Sequence, residues 1–208
     1  MATKILIAIN VVVFLLTATG GVRAAGRGGD LQSQLSLSGP AVTGGDWYRL
    51  VSSGFVHYGL IHIGFNMLLL YQLGLLLEPA LGRFRFVALY FAALLAGSFG
   101  ALLLNPTVLS GGASGAVFGL FGAAAAGLRQ RGVRVMETGI GALLVINLIF
   151  TFVIPGISIG AHLGGLVGGT VTGWVMFHSS PRSKVSGTAV AILVIVASVA
   201  GALWAAAR

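Results

Sequence analysis

Seven apolar stretches, each close to the ~20 residues that carry a helix across a bilayer, leave this chain few folds to choose from. They run Ile5–Thr19, Leu60–Leu77, Phe84–Leu104, Ser114–Leu128, Val135–Val153, Ile157–Phe177 and Thr188–Ala207. Backbone groups in hydrocarbon must be satisfied within the segment, so such stretches predict helices. The connections carry the breakers: Glu78-Pro79, Asn105-Pro106, Ile154-Pro155-Gly156 and Pro181-Arg182-Ser183-Lys184. Residues are 57% hydrophobic and only 8% charged. An ordinary soluble domain, with about a quarter of its residues charged, is excluded. The 33 glycines point to helices packed backbone against backbone. The expected fold class is an all-α polytopic membrane protein.

The net charge of +8 does not point to nucleic acid, because the basic residues are spread over connections between apolar stretches. They read as topology signals instead. With the N-terminus in the cytoplasm, the inside holds Lys4, Arg83, Arg85, Arg129, Arg131, Arg134, Arg182 and Lys184, and the outside holds Arg23, Arg27, Arg49 and Arg208. Eight against four favours that orientation by the positive-inside rule. Residues 1–20 are then the first transmembrane helix and 21–56 a long outside or interfacial loop. Residues 57–178 carry helices two to six, 179–187 a cytoplasmic linker and 188–208 a seventh helix. The first stretch has a rival reading as a signal peptide, with Lys4, a short apolar core and Thr17-Ala18-Thr19-Gly20. Both readings leave the second stretch entering from outside. In the long loop, Asp46-Trp47-Tyr48-Arg49 suits the headgroup layer, as an interfacial anchor or as part of a loop folded against the outer ends of the helices.

Polar residues inside such stretches are costly, and are functional candidates by default. Ser114 lies in Gly111-Gly112-Ala113-Ser114-Gly115, and His162 in Gly160-Ala161-His162-Leu163-Gly164-Gly165. The second, fourth and sixth stretches all run from outside to inside. His62 and Asn66 fall early in the second, Ser114 opens the fourth and His162 falls early in the sixth, so all four share one depth in the outer part of the membrane. His62 and Asn66 share a helical face, as do Ser114 and Phe118. Gly115-x-x-x-Gly119 and Gly160-x-x-x-Gly164-x-x-x-Gly168 permit the close backbone approach that a nucleophile–base pair requires. At a helix start, Ser114 also has free N–H groups and the positive helix end beside it, where an oxyanion would develop.

What is missing narrows the chemistry. His-Glu-x-x-His, the zinc protease motif, is absent. The two aspartates, Asp30 and Asp46, lie in the long loop, and the two glutamates, Glu78 and Glu137, at cytoplasmic ends. No carboxylate is left to orient His162, so a catalytic unit here is a Ser-His dyad. A metal held by His57, His62 and His162 is the weaker alternative, and neither a metal nor a cofactor is expected. With no cysteine there is neither a disulfide nor a thiolate metal site. The bland reading of a lone membrane serine or histidine is an interhelical packing contact.

Together these residues resemble the rhomboid family of intramembrane serine proteases. Gly112-Ala113-Ser114-Gly115 is similar to its nucleophile motif, Ala161-His162-x-x-Gly165-x-x-x-Gly169 to its base motif and His57-x4-His62-x3-Asn66 to its second-span motif. Arg49 resembles the arginine of its tryptophan-arginine loop motif, with Tyr48 in the tryptophan place and Trp47 one residue earlier. Glu78 with Leu81-Gly82 resembles the pattern at the end of span two. The resemblance covers roughly residues 45–175 and implies a six-helix core with a seventh, C-terminal transmembrane helix. It implies Ser114 as nucleophile, His162 as general base and then acid, and His62, Asn66 and the Ser114 N–H as oxyanion donors. Phe118 would pack on the His162 ring, and His57 would tie down the loop. Phe150 and Phe152 with Ile154-Pro155-Gly156 would form a gate and lid, and His178 would be structural. Implied partners are transmembrane protein substrates in the lipid bilayer of the cell membrane, cut toward its outer face. A non-proteolytic rhomboid-like protein that binds membrane clients is the alternative, and a small transporter or channel a third reading.

Overall fold

The computed structural model describes residues 1–18, 30–178 and 186–208. Arg23, Arg27 and the predicted linker residues Pro181, Arg182, Ser183 and Lys184 lie outside the described residues, as do Thr19 and Gly20 of the signal-peptide reading. Among the described residues ten α-helices follow in order. They are α1 (Ala2–Thr17), three short ones, α2 (Asp30–Leu35), α3 (Gly39–Thr43) and α4 (Arg49–Ser52), then α5 (Leu60–Leu81), α6 (Arg83–Leu104), α7 (Ser114–Gln130), α8 (Gly139–Val153), α9 (Ile159–His178) and α10 (Gly187–Ala206). Among the described residues the only β-pairing is one isolated bridge, Leu37 with Ser110.

The two largest differences from the expected boundaries each have a local reason. Glu78-Pro79 does not end its helix, which continues to Leu81 and stops at Gly82, in the positive-φ region at +80°. A proline this near the end removes one backbone donor without breaking more of the ladder, and glycine takes the cap that other residues adopt with strain. The fifth stretch starts late. Residues 135–137 form a 3₁₀ turn beside the Arg134–Glu137 ion pair (2.7 Å), and Thr138 caps α8 by accepting the Gly141 N–H at 3.4 Å.

The apolar helices are not equivalent. α5, α6 and α10 are long and apolar enough to cross a membrane, whereas α1 and α8 are apolar but shorter. α7 has 17 residues, twelve of them buried, and packs on α9, α6, α5 and α8. A helix enclosed on all sides meets other helices rather than lipid, so alanine and glycine can replace the leucines a lipid-facing span needs. The core fills around it with Phe86, Tyr90 and Phe121, all fully buried.

α1 is pinned to α5 by one side chain. The buried Glu78 carboxylate accepts the Ala2 N–H (2.6 Å), the Thr3 N–H (2.9 Å) and the Thr3 hydroxyl (2.7 Å). It satisfies two of the amides a helix N-terminus leaves open. α6 lies against α9 and α10, and the end of α10 reaches α3.

The segment from residue 30 to 56 is folded rather than a plain polar connector. The Arg49 guanidinium donates to Asp46 (2.7 Å), to the Ser33 carbonyl (2.7 Å) and to the Ser36 carbonyl (3.1 Å). Ser98 on α6 donates its hydroxyl to the Leu50 carbonyl at 2.8 Å. The same segment grips residues 105–113: Leu37 and Ser110 exchange backbone bonds of 2.8 and 2.9 Å, and the Gly39 N–H reaches the Pro106 carbonyl at 2.6 Å. Those bonds position the chain that leads into Ser114.

Candidate active site

Ser114 is the first residue of α7, so its own N–H and the next ones have no intrahelical acceptor. The approach is set by Gly112, whose N–H donates to the Ser53 carbonyl at 2.9 Å and whose φ of +138° is open to glycine but strained for other residues. A Cβ at Gly112 would stand 2.8 Å from His62 Nε2 and 3.6 Å from Ser114 Oγ. His62 Nε2 and the Ser114 hydroxyl therefore border the same small space. The Ser114 hydroxyl is partly exposed and makes no hydrogen bond among the described residues, so no direct Ser114–His162 bond is present.

His162 reaches this region because α9 lies almost in backbone contact with α7 and α6. A methyl group on Gly165 would overlap the Gly115 carbonyl, and one on Gly169 would overlap the Gly119 backbone. On the other flank, Gly160 meets the Gly100 carbonyl and Gly164 the Ala96 carbonyl. Such approach needs glycine on both helices. The buried His162 ring stacks on Phe118, with ring centres 4.1 Å apart and planes at 20°. Its Nδ1 lies 2.7 Å from the Thr151 hydroxyl of α8.

His62 and His57 have separate tasks. His62 Nδ1 accepts the Tyr58 N–H at 3.3 Å, which in the neutral ring leaves Nε2 as the N–H donor, on the side of Gly112 and Ser114. His57 Nδ1 donates to the Phe55 carbonyl (3.3 Å), and its Nε2 accepts the Ala113 N–H (3.4 Å). Burial, with the neighbouring His62 ring, pushes the His57 pKa down to about 3. A ring that stays neutral keeps the lone pair that holds Ala113. His57 is thus a staple between residue 55 and the residue before Ser114. Gln32 adds a second tie by donating to the His57 carbonyl at 2.9 Å.

Asn66 is buried and donates to the His62 carbonyl at 2.9 Å, without a hydrogen bond to Ser114 or His162. Arg49 belongs to the outer segment, where Tyr48 lies 5.9 Å beneath its guanidinium and Trp47 is exposed. Phe150 and Phe152 are exposed on α8. His178 stacks on Trp174 at 4.0 Å and pairs with that residue's carbonyl, away from the other site residues. Among the described residues no group of three or more His, Asp or Glu side chains is arranged to hold a metal ion.

One contact escapes the sequence reading. Thr151 is the partner of His162, and its hydroxyl also lies 2.8 Å from the Asn147 carbonyl. The available signal is thin: Asn147 and Thr151, four apart, are the two polar side chains of an otherwise aliphatic and aromatic helix.

The sequence has known relatives. The Rhomboid domain family model matches residues 44–179. The chain is 38% identical over 128 residues to Rhomboid protease GluP of Bacillus subtilis, covering 60% of this chain and 25% of GluP. It is 30% identical over 145 residues to the protein YdcA of the same organism, covering 68% of this chain and 73% of YdcA. RHOMBOID-like protein 5 of Arabidopsis thaliana is 34% identical over 139 residues, covering 64% of this chain and 45% of that protein. The match thus takes in a quarter of GluP and under half of the Arabidopsis protein. With the family model spanning residues 44–179 and with apolar helices long enough to cross a bilayer, the chain belongs to the rhomboid family and is a multi-pass membrane protein.

Proposed function

We propose that this protein is an intramembrane serine endopeptidase that cuts transmembrane segments of other membrane proteins by a Ser114–His162 dyad. The observation that carries this reading is the convergence at the start of α7. There the free Ser114 hydroxyl and a donor-oriented His62 border one space, and His162 stands on Phe118 of the same helix. The family membership adds to it, since relatives bear the name of rhomboid protease.

The chemistry follows from those groups. His162 Nε2 removes the hydroxyl proton as Ser114 Oγ bonds to the scissile carbonyl carbon. Charge develops on the carbonyl oxygen, where the Ser114 N–H, His62 Nε2–H and a second Asn66 amide hydrogen are the donors. His162 then returns the proton to the leaving nitrogen, the C–N bond breaks, and water attacks the acyl-enzyme with the same histidine as base. The missing Ser114–His162 hydrogen bond fits a resting site, because catalytic hydrogen bonds tighten in the substrate complex.

Substrate helices must locally unwind, since an intact helix hides its peptide bonds. The exposed Phe150 and Phe152, with Ile154-Pro155-Gly156 beyond them, are the gate and lid in this reading. The topology is N-terminus in the cytoplasm and site toward the outer face of the cell membrane, with seven spans divided as the sequence suggests.

The test is reconstitution in lipid vesicles with a single-span substrate carrying small and helix-breaking residues. Cleavage in or near the span is expected, as is covalent capture of Ser114 by a fluorophosphonate. An intact substrate together with an unlabelled Ser114 overturns the proposal. A second result discriminates the donor role: His62→Ala is expected to lower kcat by about 10²–10³-fold, the size typical of losing one oxyanion donor. An unchanged kcat removes His62 from the mechanism.

A further inference from the structure

We propose that Thr151 is the positioning residue of the dyad: its hydroxyl fixes the neutral tautomer of His162 that carries its proton on Nδ1, leaving Nε2 free to act as base. The inference rests on the proteolytic reading above and assigns the third member that a two-residue unit lacks.

The hydroxyl's two contacts set the direction of the hydrogen bonds. Thr151 Oγ1 lies 2.8 Å from the Asn147 carbonyl, one turn earlier on α8, and 2.7 Å from His162 Nδ1. A carbonyl oxygen can only accept, so the single hydroxyl proton goes to Asn147. An oxygen lone pair then faces His162, and the proton between them belongs to Nδ1. In neutral imidazole a proton on Nδ1 leaves the lone pair on Nε2. That is the nitrogen a general base needs toward Ser114. With the opposite tautomer, an N–H would point at the serine and could not take its proton.

Burial gives the contact its weight. Thr151 is 2% exposed and His162 7%, so no bulk water stands ready to replace either partner, and the bond works at low dielectric. Phe118 restrains the plane of the ring by stacking, 4.1 Å away, but a stacked ring can still hold its proton on either nitrogen. The hydroxyl supplies what the stack does not. A neutral partner suits the site, because a carboxylate beside His162 would have to be buried as a charge. Thr151 and Gly141 are the two buried residues of α8, whose Ile149, Phe150, Phe152 and Val153 are all exposed. The base is therefore oriented from the helix that is most shallowly seated against the bundle.

The experiment compares Thr151→Val, which keeps the shape and removes the hydroxyl, with Thr151→Ser, which keeps the hydroxyl. In vesicles with the single-span substrate, Thr151→Val is expected to lower kcat about ten- to a hundredfold with KM nearly unchanged. Thr151→Ser should restore most of the rate. Wild-type kcat in Thr151→Val, or equal losses in both variants, overturns the proposal in favour of a packing role. A second readout does not need activity. In protein labelled with ¹⁵N-histidine, with His162 assigned by its loss in His162→Ala, the wild type and Ser114→Ala should show the Nδ1–H tautomer. Thr151→Val should show a mixture. An Nε2–H tautomer in the wild type, with the hydroxyl donating to Nδ1, overturns the proposal. If the wild type fails to cleave, the proteolytic reading fails by itself, and the tautomer measurement still decides the role of Thr151.

Discussion

Ser114→Ala and His162→Ala are each expected to lower intramembrane cleavage by roughly four orders of magnitude or more, the scale found when one member of a serine–histidine unit is removed. The two should act as one. Without the hydroxyl there is nothing for the histidine to deprotonate, and without the imidazole the hydroxyl stays protonated. The double variant should therefore be no slower than either single one, as expected of groups that work as a unit. Folding is not the cause, since the Ser114 hydroxyl makes no hydrogen bond among the described residues and alanine is well suited to a helix. His162→Ala does leave space beside Phe118 and frees Thr151, so its thermal midpoint in detergent should be recorded alongside. His178→Ala is the control. His178 is bound up with Trp174 at the other end of α9 and should leave the rate unchanged. Activity in Ser114→Ala close to that of the parent would remove the dyad from the mechanism.

Gly169→Val should produce a large loss of stability. The added side chain meets the Gly119 Cα, carbonyl carbon and carbonyl oxygen, all backbone, so no side chain can turn aside to make room. The helices must separate, and overpacking of this kind costs about 3 kcal/mol or more. α7 and α9 pack extensively, so separation there should lower the unfolding midpoint and draw His162 away from Phe118. Gly64→Ala on α5 is the contrast, because its Cβ would meet nothing within 4 Å. That variant should be neutral or more stable by up to about 1 kcal/mol, the helix-propensity gain of alanine over glycine. Equal midpoints for the two variants would mean that the α7–α9 contact does not depend on glycine.

Much of this fold was legible in the residues. Low charge and unbroken apolar runs predict spanning helices because hydrocarbon accepts no unsatisfied backbone, and the all-α membrane architecture follows. The helix ends were less legible. Glu78-Pro79 looks like a terminus but sits inside α5, and Val135 looks like a start although Thr138 is the cap. Such errors of a few residues arise because local capping geometry, rather than hydropathy, decides where a helix stops. The fourth stretch differs from the others in what governs its composition. α7 is enclosed by its neighbours, so its sequence is governed by packing rather than by lipid.

Within the candidate site, spacing could pair His62 with Asn66 and Ser114 with Phe118, since residues four apart share a helical face. It could not say which nitrogen of which histidine is a donor. His57 and His62 lie five residues apart, yet one staples the Ala113 amide and the other turns its Nε2 to the Ser114 side. That division depends on the Tyr58 and Phe55 backbone around them. Thr151 is a sharper instance. Along the chain it is marked only as one of two polar side chains, with Asn147, on an apolar helix, and its significance lies in a single contact between α8 and α9.

The sequence by itself determined that this is a helical membrane protein, which helices carry the polar residues, and that no carboxylate neighbours His162 along the chain. Those follow from hydrophobicity, helical periodicity and the residue inventory, all properties of short stretches of chain. Only the tertiary structure decided that Thr151 stands where a carboxylate might, that His57 holds the Ala113 amide, and that residues 30–56 grip the approach to Ser114. Those are contacts between elements distant along the chain. They form where glycine lets backbones meet and where the segment before α5 folds onto the ends of the bundle, and no local pattern encodes them.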